Sequence, residues 1–101
     1  MNNNDFLNGI NRELDKCFAL FKRKNETYAS NTDPFNNFTQ YAHLAKCTKE
    51  DALLHFMGKQ VVSIYNKDTR EDDASYDERL RDIINYCAIL LVMRNEVEQT
   101  G

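Results

Sequence analysis

Residues 75–93 read SYDERLRDIINYCAILLVM. Within them Leu80, Ile83, Ile84, Cys87, Leu90 and Leu91 recur at steps of three and four. That period belongs to an α-helix, because a half-buried strand would alternate at two. Ser75, with Glu78 three residues later, has the form of a capping box. The stretch predicts a helix over about 76–97, with those six residues as its buried stripe. Asn85 breaks the apolar run, and no run in the chain approaches the ~18 residues that span a bilayer. No membrane association is expected.

The same period returns on both sides. Phe6, Leu7, Ile10, Leu14, Cys17, Phe18 and Phe21 form one stripe and predict a helix over about 4–28. Residues 1–4 are expected to fray. Residues 29–33 are a polar break. Asp33 can then accept a hydrogen bond from a free N–H, and Pro34 suits a first helical position. A short helix over 34–44 would set Phe35 and Phe38 along one side, with Tyr41 or Ala42. Thr48 can cap a third helix over 49–66, with Asp51 at the capping-box position. Ala52, Leu53, Phe56, Met57, Gln60, Val61 and Ile64 mark its inward face. Residues 67–74 are highly charged and predict a solvated loop. The expected fold is all-α, a single domain over 1–101 built as a compact bundle of about four helices.

Composition narrows the function classes. The chain has 101 residues, the length of one domain. Three Gly and one Pro are too few for the turns of an all-β protein. Gly9, Gly58 and Gly101 stand far apart, so a glycine-rich phosphate loop is excluded. The net charge of −3 implies no broad basic footprint for nucleic acid. Residues 1–50 carry seven Lys/Arg and six Asp/Glu, residues 51–101 six and ten. The acidic excess thus lies in the second half, above all in Asp68–Glu78. Cys17, Cys47 and Cys87 show no zinc spacing. Cys17 and Cys87 fall at apolar helical positions and predict buried free thiols, which fits a reducing cytoplasm.

Three groups of residues could carry chemistry. Glu78, Asp82 and Asn85 share nearly one helix face, with Tyr86 beside them. Two carboxylates there suit Mg²⁺, which takes a few oxygen ligands and keeps water or phosphate oxygens. Equally, Glu78 closes the cap and Asp82 suits the solvated side. Asn85 lies in the most apolar stretch and, if buried, needs hydrogen-bond partners. The second group is Lys24, Asn25 and Tyr28 with Asn37, around the polar break and the next helix start. The third is Lys59, which could turn inward to Glu78, Asp82 or a phosphate, or outward to water. His43 and His55 are isolated.

The elements Lys24-Asn25-x-x-Tyr28, Asp33-Pro34-Phe35-x-Asn37-Phe38 and Glu78-x-x-x-Asp82-Ile83-Ile84-Asn85-Tyr86 resemble the small phage and prophage proteins called nucleotide-modification-associated domains. Lys59-Gln60-x-x-Ser63-Ile64 resembles their middle segment. The resemblance covers about residues 10–93. It implies an association with phage nucleotide metabolism or DNA modification. A remoter similarity is to all-α nucleoside triphosphate pyrophosphohydrolases of the MazG and dimeric dUTPase type. Those hold Mg²⁺ with Glu-x-x-Glu and Glu-x-x-Asp. Here Glu78 and Asp82 stand one residue further apart, and no Glu-x-x-Glu occurs.

The first expectation is a phage-type helical protein that binds a nucleotide or nucleotide-like anion. Lys24 and Lys59 would meet phosphate. Asn25, Asn37 and Asn85 would give hydrogen bonds, and Tyr28 or Tyr86 would stack on a base. The second is a Mg²⁺-dependent pyrophosphohydrolase with Glu78 and Asp82 as ligands. The third is a non-catalytic phage interaction or inhibitor protein acting on a host system, with a host protein as partner. In each case the stripe over 80–91 serves either an internal core or a homodimer interface.

Overall fold

A computed structural model describes residues 1–28, 34–66 and 72–100, with the side chains of Tyr28 and 97–100 outside that description. Four helices account for nearly all of it: α1 (Asn3–Tyr28), α2 (Asn36–Ala45), α3 (Lys49–Tyr65) and α4 (Asp73–Thr100). Among the described residues there is no strand. The all-α bundle expected from the periodicity is what the chain forms.

The helix ends show which acceptors do the capping. Asn2 caps α1, its Oδ1 taking the Asp5 amide at 2.8 Å and its carbonyl the Phe6 amide at 3.0 Å. The helix therefore starts inside the tail expected to fray. Thr48 caps α3 as expected, its Oγ1 accepting from the Asp51 amide at 3.0 Å.

Two starts differ from expectation. Helix α2 begins at Asn36 rather than Pro34, and Pro34 and Phe35 form a turn. Phe35 occupies the N-cap without a side-chain hydrogen bond, and its carbonyl accepts the Thr39 amide at 2.9 Å. Asp33 lies outside the described residues. Helix α4 begins at Asp73, because Asp72 and not Ser75 is the cap. The Ser75 amide donates to Asp72 Oδ1 at 2.7 Å, and that bond holds the Asp72 carboxyl below its ordinary range. Ser75 is thus inside the first turn, and Glu78 is released from the capping role.

The core lies among α2, α3 and α4. Phe35, Phe38, Ala42, Ala52, Leu53 and Met93 are buried there, with Tyr41, Phe56, Tyr86, Ile89 and Leu90 packed around them. Phe38 meets Phe56 and Tyr86 edge-on, with ring centroids 5.8 and 6.2 Å apart. Such edge contacts add to what area burial alone supplies. After Ala45 the chain reverses through Lys46, whose φ of 57° is left-handed and caps α2.

Helix α1 stands apart from that core. Its 26 residues span about 39 Å, yet the long-range contacts described for it come from residues 13–24. Cys17 and Leu20 are buried against α4; Phe6, Leu7, Ile10, Leu14 and Phe18 are exposed. Much of the apolar stripe of α1 therefore faces outward.

The stripe of α4, predicted to be buried, is corrected. Leu80, Ile84, Cys87 and Leu91 are exposed, and Ile83 and Leu90 are half-buried. The buried positions are Asp82 and Met93. The reason is geometric: α3 and α1 both pack on the other sides of α4, and the most apolar stripe is left uncovered. Val61 of α3 is likewise exposed. Among the described residues no helix is long and apolar enough to cross a membrane.

Candidate functional site

The junction of α1, α3 and α4 is built around one carboxylate. Asp82 is 7 % exposed and is the buried charged residue of the described chain. A carboxylate removed from water needs a cation and hydrogen bonds. Lys24 of α1 supplies the cation, its Nζ lying 2.8 Å from Oδ1 and 3.0 Å from Oδ2. Gln60 of α3 donates from Nε2 to Oδ2 at 3.2 Å. One side chain from each neighbouring helix thus converges on α4.

Glu78 sits one turn before Asp82 and extends the cluster outward. Its Oε1 is 3.9 Å from Lys24 Nζ and 3.7 Å from the Arg23 guanidinium. The i, i+4 spacing does put both carboxylates on one face, and a single ammonium lies within reach of both. A Mg²⁺ ion at this pair would have to displace that ammonium. Among the described residues no group of three or more His, Cys, Asp or Glu side chains is arranged to hold a metal.

The junction carries two further ties. Asn85 donates from Nδ2 to the Cys17 carbonyl of α1 at 2.9 Å, which answers the demand of an amide in an apolar stretch. Arg81 grips Glu13 Oε2 from Nε at 3.3 Å and from Nη2 at 3.0 Å, and Lys16 adds a contact at 3.3 Å. The Arg81 hydrogen bond, with help from Lys16, holds the Glu13 carboxyl below the ordinary glutamate range. Burial pushes the Cys17 thiol up, so it remains a neutral, unreactive thiol.

A depressed carboxylate contributes stability above its unfolded value and loses it as pH falls through the folded value. The Glu13 tie should therefore hold at neutral pH and weaken below about 4.3. The protection of α1 amides, corrected for the intrinsic exchange rate at each pH, is expected to fall through that acid range. In Arg81→Gln the Glu13 carboxyl, followed by NMR titration, should return toward the ordinary range. An unchanged titration would mean that Arg81 does not hold it.

The other sequence candidates lie elsewhere. Lys59 is exposed, with Nζ 6.0 Å from the Phe56 ring centroid; the inward lysine is Lys24. Asn37 is exposed on the first turn of α2, and Asn25 is half-buried near the end of α1. The Tyr86 ring packs on Phe38 in the core and not at the junction. Phe35 and Phe38 are core residues as expected. His55 stacks on Tyr41 at 5.2 Å. The Tyr28 side chain lies outside the described residues. Cys87, expected to be buried, is exposed with Sγ 3.8 Å from Met57 Sδ.

Sequence reasoning did not find Gln60 as the second donor to Asp82, nor the Glu13–Arg81 pair. Gln60 does stand among apolar residues on the inward face of α3, and an amide there signals a buried polar partner. Nothing local marks Glu13 and Arg81, which are 68 residues apart. Compared with known protein families, curated proteins and solved structures, the chain matches none.

Proposed function

We propose that the protein is a non-catalytic interaction module that offers α1 to the apolar groove of a partner protein. The observation that carries this reading is the exposed stripe Phe6, Leu7, Ile10, Leu14 and Phe18. These residues recur at the spacing by which an amphipathic helix anchors in a groove. Lys22 lies over the Phe18 ring, 4.8 Å from its centroid, and frames the stripe with a polar edge. The polar side of α1 mixes signs, with five Lys/Arg and four Asp/Glu over residues 3–28. A helix that lies on an anionic membrane would be predominantly basic there. The junction supports the reading from the other side. Its charges are spent on one another and fix α1 to α4, which leaves the stripe on the outer side of the helix.

The test compares wild type with Leu14→Glu/Phe18→Glu, both exposed positions. Circular dichroism should show the same helix content. Cross-linking in the source cell should join wild-type α1 to one partner, with that link lost in the variant. Equal cross-linking of both proteins would sink the proposal.

A second reading, nucleotide or nucleotide-like anion binding, has one observation in its favour. Arg23 and Lys24 are adjacent, and Arg23 is well exposed at the outer edge of the junction. A phosphate group there would compete with Glu78 for both cations. This reading expects a nucleotide to raise the melting temperature and Arg23→Ala to abolish the shift. A pyrophosphohydrolase at the same place requires the metal to take Lys24's position on Asp82.

A further inference from the structure

The hairpin of α3 and α4 has two unlike sides. Two contacts set its antiparallel register: Met57 with Cys87 at 3.8 Å, and Gln60 with Asp82 at 3.2 Å. In that register Leu54 comes level with Leu91, Val61 with Ile84, and Tyr65 with Leu80. All six are exposed, from 37 % at Leu80 to 88 % at Tyr65. Exposed Cys87 and half-buried Met57 fall between the first two pairs, beside Gly58. The result is a ladder of apolar rungs along one side of the hairpin, away from α1 and α2.

Charge is sorted to the opposite side. Between residues 52 and 65 the single charged residue is Lys59, which lies over Phe56 at the α2 side. Between residues 80 and 93 the charges are Arg81 and Asp82, and both are engaged with α1. The middle of the ladder therefore presents no charge. A charged ligand or a nucleic acid finds nothing to pair with there, whereas an identical charge-free surface fits it.

The areas agree. A compact monomer of this mass, 11.8 kDa, exposes about 5,900 Å². This chain exposes 7747 Å². The excess of about 1,800 Å² is more than the ~800 Å² per partner that a standard interface buries. A Cβ placed on Gly58 would meet no heavy atom within 4 Å, so a second backbone can come close at mid-ladder.

We infer that this ladder is a homodimer interface, in which two α3–α4 hairpins close into a four-helix bundle across a two-fold axis. With Met57 and Cys87 between the first two rungs, the steps along both helices are three or four residues, so such an axis buries the same patch of both copies. It is a different surface from the α1 stripe, and the two can be occupied together.

The intact protein provides the test. Sedimentation at high micromolar concentration should give about twice the monomer mass. Val61→Glu/Ile84→Glu should sediment as a monomer, while Leu14→Glu/Phe18→Glu should remain dimeric. Cys87 supplies a readout that needs no substitution. Its alkylation should slow several-fold as concentration rises through dimer formation, with half-buried Cys47, which packs on the core away from the ladder, as the internal reference. A wild type that stays monomeric at high concentration overturns the inference. So does a dimer that survives Val61→Glu/Ile84→Glu, that dissociates in the α1 variant, or that leaves Cys87 alkylation unchanged.

Discussion

Leu53→Ala is expected to remove a large part of the fold's stability. Leu53 is fully buried, and its neighbours in the core are Phe35, Phe38, Ala42 and Met93. Truncating a buried leucine costs about 2–5 kcal/mol, through lost transfer energy and the cavity left behind. Total stability of a domain this size is roughly 5–15 kcal/mol. At about 4–8 °C per kcal/mol, the melting temperature should fall by ten degrees or more. Leu54→Ala, one residue on and exposed, is the matched control and should cost far less. Thermal and urea denaturation, with the same slope m for both variants, would check this. A loss at Leu53 no greater than at Leu54 would mean that the core does not lie among α2, α3 and α4.

Lys24→Met is expected to rank second. It leaves Asp82 buried with Gln60 as its remaining described donor. Removing one partner of a buried pair costs about 3–5 kcal/mol, because the other charge stays uncompensated. Lys24 itself is 40 % exposed, so water can enter and the lower end, about 3 kcal/mol, is expected. The diagnostic is the double variant Lys24→Met/Asp82→Leu. Two apolar side chains can replace a buried ion pair at little cost, so most of the loss should return. If Lys24→Met alone were neutral, the junction would not be what fastens α1. If the double variant were no better than the single one, Asp82 would hold the fold through partners other than Lys24.

The order of these two effects follows from what each part of the molecule is made of. Three helices share an apolar core. The fourth is joined largely by ion pairs and amides: Lys24–Asp82, Arg81–Glu13 and Asn85 on the Cys17 carbonyl. Local opening of α1 should therefore precede global unfolding. Hydrogen exchange should show α1 amides less protected than those near Leu53.

Much of this was legible in the sequence. Steps of three and four located all four helices, and Thr48 gave the start of α3. The misses have physical causes. Asp72, Asp73 and Ser75 are all competent caps, and spacing alone does not say that the first of them wins. At Pro34 the proline fixes its own φ, but whether the helix begins there depends on how Phe35 enters the core. Periodicity says which residues share a face and not which face receives a neighbour. Helix α4 is apolar over most of its circumference between 83 and 93, so its stripe pointed outward without breaking any local rule. Asp82 lay at a position the pattern treated as polar surface and proved to be the hub.

The site was legible in part for the same reason. The shared face of Glu78, Asp82 and Asn85 follows from helix geometry. Their partners do not, because Lys24 is 58 residues away from Asp82 and Cys17 is 68 from Asn85. Such pairs depend on where one helix crosses another, which no short motif encodes. Lys59 and Lys24 were equal candidates by residue type. Only the crossing of α1 over α4 separates them.

That crossing also sets an order in time. Helix α1 leaves the ribosome before the residues that receive it, Glu78 to Asn85. Until α4 emerges α1 has nowhere to dock, and Cys17 and Leu20 are as open as Phe6 and Phe18. The nascent chain therefore displays a longer greasy helix than the finished protein does. A chaperone that reads such helices should hold this chain until α4 is complete, and the polar clasp at Asp82 should be the event that releases it.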